Sequence, residues 1–350
     1  MVKKYNILFV LLLFSVCAFP QAGKGVYSFL DLPVSSRISA LGGTNVSLAD
    51  DDINFVFKNP ALLTPQSDKV IGLNFTNYLT DINYGSAVYG MTFGDKNYMA
   101  FGIQYANYGN FAGYDESGQY VNDFTAQDLG FYVSYARPIA DKITVGATLK
   151  PIVSVYEVYT SVGLGLDLGA SYINEDILFS AGLVFRNIGT QLKGYYSDEE
   201  GQHYEPLPFD VQLGATKQLR HAPIRFSLTL HNLHRWNLAY QSTNQTDDKD
   251  LLGEDSQKEN KGIGFFDMAF RHAIIGVEFL PMKNFYVSVA YNHRRARELS
   301  MNGFKSLAGF SFGAGIKIYK FQVGFGMTQF QAGLNSYQFS IMTSLNDFRL

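Results

Sequence analysis

Two histidines are the first residues whose spacing suggests chemistry. His231 and His234 stand three positions apart, and paired imidazoles are common zinc ligands. Along a β-strand an odd spacing sends two side chains to opposite faces, so this pair is poorly placed for one metal ion. We therefore predict two histidines at the rim of a loop and no metal site.

A glycine run and an acidic run are weaker candidates for ligand binding. The segment 163–169 superficially resembles a dinucleotide-binding loop, but no helix pattern follows and the glycine spacing is wrong. The run 50–52 offers three carboxylates for a cation, but calcium-loop spacing does not follow it. We predict instead that Asp51 or Asp52 caps a short helix over 53–57, which ends before Pro60.

Arginines and aromatics offer the best candidates for contacts with a partner. Arg294, Arg295 and Arg297 follow a predicted strand, where they would pair with lipopolysaccharide phosphates or an acidic protein face, or else form a hydrated rim. The aromatics of 107–125 would dock a protein partner or line a surface groove for lipid; they are Tyr108, Phe111, Tyr114 and Tyr120.

Enzymatic chemistry has no support in the sequence. Covalent catalysis needs a nucleophile and a base brought together, and although serines are plentiful, no motif joins one to a base. The net charge of −3 gives no reason to expect nucleic-acid binding. We predict a protein that is not an enzyme, with no cofactor, no metal and no nucleic-acid partner.

The elements that must position these residues are strands. From Lys69 onward apolar and polar residues alternate in segments of about 10 residues, the length that a tilted strand needs to cross a bilayer. Between 161 and 172, for example, one face carries Val and Leu and the other Gly, Ser and Asp. The predicted strands are 69–79, 84–94, 97–107, 126–137, 141–152, 160–172, 176–187, 208–218, 222–233, 265–280, 283–293, 307–318, 320–330 and 337–346.

The connections between these strands alternate in length. Every second connection has only one to a few residues, whereas four of the others are long: 108–125, 188–207, 234–264 and 294–306. Short turns on one side and long loops on the other are typical of an outer-membrane barrel. The alternative is a soluble two-sheet sandwich, but its core would have no use for a face this rich in Gly, Ser and Thr. The 265–280 segment changes phase, which indicates a bulge or bend.

The N-terminus has the pattern of a cleaved signal peptide. Lys3 and Lys4 precede the apolar run 7–16, and Ala18 and Ala22 are candidate cleavage points. We predict a signal peptide over 1–22. The sole cysteine, Cys17, follows a bulky valine, which disfavours lipidation. After this segment no apolar stretch reaches about 18 residues, so a membrane-spanning form must be a closed barrel.

Residues 23–68 do not alternate and are predicted to form a plug, or hatch, inside the barrel formed by 69–350. The predicted inner face of the barrel is lined by small residues, which leaves room for such a plug. The glycines concerned are Gly102, Gly130, Gly146, Gly163, Gly165, Gly182, Gly214, Gly313, Gly315 and Gly324. The predicted fold class is therefore all-β, a transmembrane antiparallel barrel of about 14 strands with a short N-terminal hatch.

The hatch segment also carries a family resemblance. The stretch 36–43, which contains Leu41, Gly42 and Gly43, together with Asn59, Pro60 and Ala61, resembles the hatch of the FadL-like outer-membrane family. More closely, the strings 27–37, 46–54 and 57–63 look like the PorQ group of type IX secretion system components. The matching motifs cover about 40 residues; over the remainder, length and barrel pattern agree.

The resemblance implies two alternative functions. As a PorQ-like component, the protein would anchor a surface attachment complex that matures secreted cargo and attaches it to lipopolysaccharide. Its partners would be a PorZ-like surface protein with PorU- and PorV-like components. The alternative is a FadL-like transporter of hydrophobic small molecules. Either function implies an outer-membrane location and contact with outer-membrane lipid.

Overall fold

The computed structural model describes residues 25–79, 81–198, 201–238, 264–299, 307–331 and 334–348. The predicted signal peptide lies outside these residues. So does most of the predicted long loop at 234–264.

Fourteen strands of the described chain close into one antiparallel barrel, which confirms the predicted fold class. The barrel strands are β1 Val70–Asn77, β2 Asn83–Phe93, β3 Asn97–Tyr114, β4 Tyr120–Ala140, β5 Ile143–Tyr156, β6 Tyr159–Asn174, β7 Phe179–Lys193, β10 Asp210–Gln218, β11 Ile224–Leu230, β12 Ala273–Met282, β13 Phe285–Asn292, β14 Phe310–Ile318, β15 Phe321–Gln331 and β16 Leu334–Ser344. Between β7 and β10, β8 Ser197–Asp198 pairs with β9 Gly201–Gln202 in a separate two-stranded ribbon. Each barrel strand pairs with its neighbours in the chain, and β1 closes the barrel on β16 from Val70↔Ser344 to Asn77↔Tyr337.

The alternation of the sequence separates the two faces of this wall. In β1, Gly72, Asn74 and Thr76 point inward, whereas Leu73 and Phe75 point outward and are about half exposed. Exposed Phe, Leu, Ile and Val continue around the outer wall on nearly every strand. A continuous apolar band of this kind is stable only against hydrocarbon, because soluble proteins rarely leave so much apolar surface in water.

The two ends of the barrel differ in their connections. At one end, here the turn end, strands are joined by two to five residues, as in 94–96, 141–142 and 283–284. The other end, the loop end, carries the connections 194–209, 231–272 and 293–309. The turn end also receives the chain as it leaves the hatch at Lys69 and enters β1. This asymmetry agrees with the predicted arrangement.

The hatch, residues 25–68, is built from short helical turns. Helix α1, Ser36–Ala40, is accompanied by 3-10 turns at Ser28–Asp31, Ile53–Phe57, Pro60–Leu62 and Pro65–Ser67. The Asp52 carboxylate accepts the Asn54 N–H at 3.0 Å and caps the turn at Ile53–Phe57, as predicted for this acidic run. Further 3-10 turns lie at Glu175–Ile177 and Leu345–Phe348.

The prediction of one bent strand over 265–280 is wrong. Helix α2, Phe265–Arg271, occupies its first half, and β12 begins only at Ala273. Arg271 Nε lies 3.0 Å from the Asp267 carboxylate one helical turn earlier, and this ion pair stabilises α2. The change of phase was therefore a change from helical to strand periodicity. Helix α3, His293–Glu298, occupies the first part of the segment 294–306 that was predicted to be a loop.

The predicted loop at 108–125 is also mostly strand. β3 and β4 continue their ladder past an irregularity between Asn107 and Asn110, up to the pair Tyr114↔Tyr120. The rings of Phe111 and Phe124 stack at 5.3 Å between centroids, and such cross-strand aromatic pairs stabilise a hairpin. The result is a β3–β4 hairpin that extends beyond the neighbouring strands at the loop end.

Within the described residues, no helix is long and apolar enough to cross a bilayer.

Candidate functional site

The hatch is seated in the lumen, and the glycines of the inner wall make this possible. A Cβ atom at Gly146 would lie 2.8 Å from the carbonyl carbon of Pro60, and one at Gly182 would meet the Val46 carbonyl oxygen. The other predicted glycines that face hatch atoms in this way are Gly102, Gly130, Gly163, Gly214, Gly313 and Gly324. At Gly146 and Gly182, where the nearest hatch atoms belong to the backbone, a larger residue would displace the hatch.

Two of the predicted glycines have other neighbours. A Cβ at Gly165 would face Leu207, in the connection between β7 and β10, and one at Gly315 would meet the Tyr286 ring of the adjacent strand. The small inner face therefore accommodates the hatch, a loop and a large side chain of the wall itself.

The predicted hatch motif Leu41-Gly42-Gly43 ends helix α1. The Gly43 N–H donates to the Ile38 carbonyl at 3.0 Å and that of Gly42 to the Ser39 carbonyl at 3.0 Å, which is the Schellman arrangement. Both glycines have positive φ, 90° and 102°, a backbone conformation that other residues rarely adopt. The Gly42 carbonyl then accepts from Arg295 at 3.2 Å, which ties the motif to α3.

The second predicted motif, Asn59-Pro60-Ala61, locks the hatch internally and to the wall. The Asn59 side-chain oxygen accepts the Ala61 N–H at 3.0 Å, and its amide donates to the Val46 carbonyl at 2.8 Å. The Ser171 hydroxyl of β6 donates to the Ala61 carbonyl at 2.7 Å. Asn59 is fully buried, so replacing it would leave several polar groups without partners.

A buried ion network joins the hatch to the turn end of the barrel. Arg37 Nε lies 2.9 Å from Glu278 of β12, and its Nη2 lies 2.9 Å from Asp50. Arg225 of β11 contacts the same two acids at 3.2 and 2.9 Å, and the Arg37 guanidinium lies 4.5 Å from the Tyr286 ring centroid. Burial raises the pKa of Asp50, but the cations of Arg37 and Arg225 outweigh it, so the net pKa lies below the ordinary value.

A second set of buried charges lies nearer the loop end. Lys150 of β5 and Asp167 of β6 pair at 2.6 Å, and both side chains are fully buried. Arg186 of β7 lies 3.6 Å from Asp31 and donates to the Leu30 carbonyl at 3.0 Å. Charges of opposite sign on the inner face of the barrel therefore pair with each other or with the hatch, both at these positions and at Arg225 and Glu278.

Lys58 of the hatch is fully buried, and its ammonium is not paired with any carboxylate of the described residues at hydrogen-bond distance. Its ammonium donates to the Leu32 carbonyl at 2.9 Å. Burial, reinforced by the neighbouring Arg186 cation, holds the pKa of Lys58 well below its ordinary value. Lys58 therefore fixes one hatch segment to another by hydrogen bonding.

Two polar cavities flank the seated hatch. The turn-end cavity has a volume of about 640 Å³ and is lined by Arg37, Asp50, Arg225 and Lys317 among others. The loop-end cavity, about 480 Å³, is lined by Arg186, Asp210, His231 and Arg235 among others. A third recess of about 570 Å³ lies on the outer wall, where Gly85 of β2 separates the outward rings of Phe75 and Tyr105.

The predicted aromatic contact residues separate into two environments. Phe111, Tyr114 and Tyr120 lie on the β3–β4 hairpin and are 41%, 64% and 59% exposed. Tyr108 is half-buried instead, and its hydroxyl donates to Asp128 at 2.6 Å. Only the first three are available to a partner in this structure.

The predicted arginines are engaged within the chain. Arg294 pairs with Glu298 at 2.7 Å and Arg297 with Asp267 at 3.2 Å. Arg295 contacts the hatch and also donates to Ser311 of β14 at 3.2 Å. Arg294 and Arg297 remain close to solvent at the loop end, whereas Arg295 holds the hatch.

The two hatch residues of the ion network, Arg37 and Asp50, were not predicted from the sequence. Arg37 and Asp50 contact wall residues about 241 and 175 positions away, and no local pattern reports such a pairing. The available signal is the alternation of apolar and polar residues in β11 and β12, which places Arg225 and Glu278 on the inner face, where buried charges need partners.

The described residues contain no group of three or more His, Cys, Asp or Glu side chains that could hold a metal ion. His231 and His234 are both at the loop end, where His231 receives a hydrogen bond from Asn232 and His234 lies 3.9 Å from Asp210.

Comparisons with known proteins give a fold but no sequence family. No family model matches the chain, and no curated protein matches it. Among solved structures, the P. putida toluene transporter TodX matches with a TM-score of 0.53 at 12% identity, covering 90% of this chain and 99% of that one. The CymD monoaromatic hydrocarbon channel matches with a TM-score of 0.50 at 13% identity over 89% and 97%. A Pseudomonas aeruginosa FadL homologue gives a TM-score of 0.49 at 11% identity over 92% and 100%.

The class of protein follows from fold and site together. The chain is a 14-strand antiparallel β-barrel closed around an N-terminal hatch. It shares this fold with the solved structures of the TodX and CymD hydrocarbon channels.

Proposed function

We propose that this protein is an outer-membrane channel for small hydrophobic molecules, without enzymatic activity. The observation that carries the proposal is the hatch seated in a 14-strand barrel, which aligns over nearly its whole length with hydrocarbon channels. The apolar band of the outer wall supports a membrane location. The short turns would face the periplasm and the loop end the exterior.

The outer-wall recess supports contact with apolar molecules. Phe75 and Tyr105 point outward on either side of Gly85, which has no side chain to fill the gap. A small aromatic molecule dissolved at the membrane boundary would pack there between two rings. In the inner wall just behind this recess, Tyr84 is fully buried.

Passage through the barrel requires the hatch to move. Its apolar residues pack against the inner wall, and neutral hydrogen bonds hold it on several sides. Ser39 and Thr328 of β15 form one such bond at 2.8 Å, and Ser47 and Thr216 of β10 form another at 2.8 Å. Single hydrogen bonds of this kind contribute only about 0.5–1.5 kcal/mol each, so they permit local release.

A disulfide lock tests this proposal. In the Ser39→Cys, Thr328→Cys double variant, oxidation would fasten α1 to β15 at a point where the native oxygens are 2.8 Å apart. We expect uptake of radiolabelled toluene into cells that depend on this channel to fall on oxidation and to recover on reduction. The matched controls are the two single-cysteine variants, which should be insensitive to oxidant.

Uptake that does not depend on the protein at all would contradict the channel. Uptake that depends on the protein but is unaffected by a confirmed disulfide would show that this side of the hatch stays in place during passage.

A second candidate is supported by the β3–β4 hairpin. Its exposed Phe111, Tyr114 and Tyr120 would suit a protein interface, where aromatic residues are enriched. In that function the barrel would anchor a PorZ-like surface protein, with PorU- and PorV-like components, as part of a type IX secretion complex that attaches cargo to lipopolysaccharide.

Shortening the hairpin separates the two candidates. A variant lacking 112–122 should retain toluene uptake if the protein is a channel. If the protein is an anchor, the same variant should lose the partners that co-purify with the native protein from solubilised membranes. Co-purification unchanged by the deletion would argue against docking on the hairpin.

A further inference from the structure

The loop-end cavity is lined by residues whose hydrogen-bond donors have no partner within the described part of the chain. It lies between the hatch segment around Gly42 and the bases of the long connections, and its volume is about 480 Å³. That volume falls in the range of small-molecule sites, roughly 300–1,000 Å³, and exceeds what a bare ion requires.

Two of these donors are almost completely buried. The Arg186 side chain is 2% exposed, and while its Nη atoms face Leu30 and Asp31, its Nε has no acceptor. His231 is 7% exposed, and its Nδ1 lies 2.6 Å from the Asn232 amide nitrogen. Because Nδ1 accepts from that amide, the ring proton of neutral His231 is on Nε2, which also has no partner.

A third donor lies beside them. Arg235 donates to Asn232 through Nη2 at 3.4 Å, but its buried Nε has no acceptor among the residues that the structure describes. A buried donor without an acceptor destabilises the protein, and it does so more strongly when the group is charged. Arg186, His231 and Arg235 all line this one cavity, so a ligand there that accepts hydrogen bonds would satisfy these donors once the side chains turn toward it.

The charge of the cavity selects the kind of ligand. Four arginines line it against two aspartates, and because Glu298 pairs with Arg294, one positive charge remains in excess; the arginines are Arg186, Arg235, Arg294 and Arg295, and the aspartates Asp31 and Asp210. Asp210 already accepts from the Gln212 amide and the Asn232 N–H, both at 2.6 Å. Burial, followed by the Arg294 cation, lowers the pKa of His231 to about 3, so this histidine is a neutral donor.

We propose that the loop-end cavity binds a phosphate ester, with Arg186 Nε, His231 Nε2 and Arg235 Nε as its hydrogen-bond donors. The excess positive charge of the cavity favours an anionic phosphate, and guanidinium groups match its oxygens. The volume beyond the phosphate accommodates a sugar-sized group. A hydrocarbon would fit poorly, because it would leave the same buried donors unsatisfied.

The single tryptophan of the chain provides the measurement. Trp236 directly follows Arg235, and its ring stacks on His272 at 5.4 Å between centroids. The detergent-solubilised full chain is titrated with inorganic phosphate, glucose 1-phosphate, lipid A and, as uncharged or dephosphorylated controls, glucose and lipid A without phosphates. We expect a saturable change of Trp236 emission with phosphate-bearing probes only.

Variants then test the assigned donors. His231→Phe and Arg235→Gln should each weaken binding about tenfold, the effect of losing one hydrogen bond to a charged group. Arg220→Gln is the matched control, since Arg220 lies in the turn between β10 and β11 at the opposite end of the barrel. Heat-modifiable gel mobility confirms that each variant is folded.

The probes distinguish the source of the phosphate. Binding of glucose 1-phosphate or inorganic phosphate identifies a soluble ligand, whereas binding of lipid A alone identifies a lipid headgroup. Either result supports the site. The proposal is overturned if no phosphate-bearing probe gives a saturable change beyond its control, or if both donor variants bind as tightly as the native protein.

Discussion

At the scale of single residues, the lumen is organised by charges that are buried and shared. Glu278 is 1% exposed and contacts both Arg37 from the hatch and Arg225 from its own wall. A buried ion pair adds little net stability relative to an apolar pair, but removing one partner leaves a charge that is costly to bury. The network therefore specifies where the hatch sits more than it strengthens the barrel.

Replacing Arg37 tests this view. Arg37→Met should destabilise the seated hatch by about 3–5 kcal/mol, because Glu278 and Asp50 would keep only Arg225. The measurement is protection of the hatch from added protease in the solubilised protein, alongside heat-modifiability of the barrel. We expect faster cleavage within 25–68 while the barrel stays folded.

Arg220→Met removes an arginine from an exposed turn and is the control for Arg37→Met. It should leave protease protection unchanged. If Arg37→Met were protected as well as the native protein, the ion network would not be what holds the hatch at the turn end.

At the scale of elements, the hatch is short helical turns fitted against glycines of the wall. Gly182 of β7 and Gly130 of β4 both face the hatch, but at different distances from different atoms. A Cβ at Gly182 would meet the backbone carbonyl of Val46, whereas one at Gly130 would lie 3.3 Å from the Phe29 ring. Backbone cannot yield as readily as a side chain, so the two positions should respond differently.

The same substitution at both positions gives a matched comparison. Gly182→Ala should displace the hatch locally and raise single-channel conductance in planar bilayers, since the wall would push against Val46. Gly130→Ala should have a much smaller effect, because a shift of a few tenths of an ångström relieves the contact. Equal conductance in the two variants would argue against close seating of the hatch at β7.

At the scale of the whole molecule, the barrel and hatch form a closed unit with a polar cavity at each end. The wall is continuous, since each of the fourteen strands of the described chain has two neighbours. A barrel without edges can remain folded when its contents are removed, because the ladder of backbone hydrogen bonds is complete without them.

Deletion of the hatch tests whether the barrel stays folded without its contents. A variant lacking 25–68 should remain heat-modifiable, which reports a folded barrel, and should show a large increase in conductance over the native protein. The native protein itself should be almost non-conducting, because the hatch fills the lumen. A folded deletion variant with unchanged conductance would mean that something other than the hatch closes the pore.

Most of the wall could be predicted from the sequence for a simple physical reason. Each spanning strand faces lipid on one side and the lumen on the other, so a period of two is imposed on every segment. The number of strands and the alternation of short and long connections follow from that period. The prediction from this period was wrong at 265–280, where a helix precedes the strand. It was also wrong at 108–125, where cross-strand aromatic pairs extend the hairpin.

The sequence by itself determined that 23–68 differs from the barrel and that the inner face leaves space. It also determined that charges such as Lys150, Asp167 and Arg186 face inward and need partners. Only the tertiary structure decided which partners they have, that Arg295 supports Gly42, and that donors of Arg186 and His231 remain unused in one cavity. Local periodicity encodes which face a residue occupies, whereas these contacts join segments that are far apart in the chain and are fixed only when the barrel closes around the hatch.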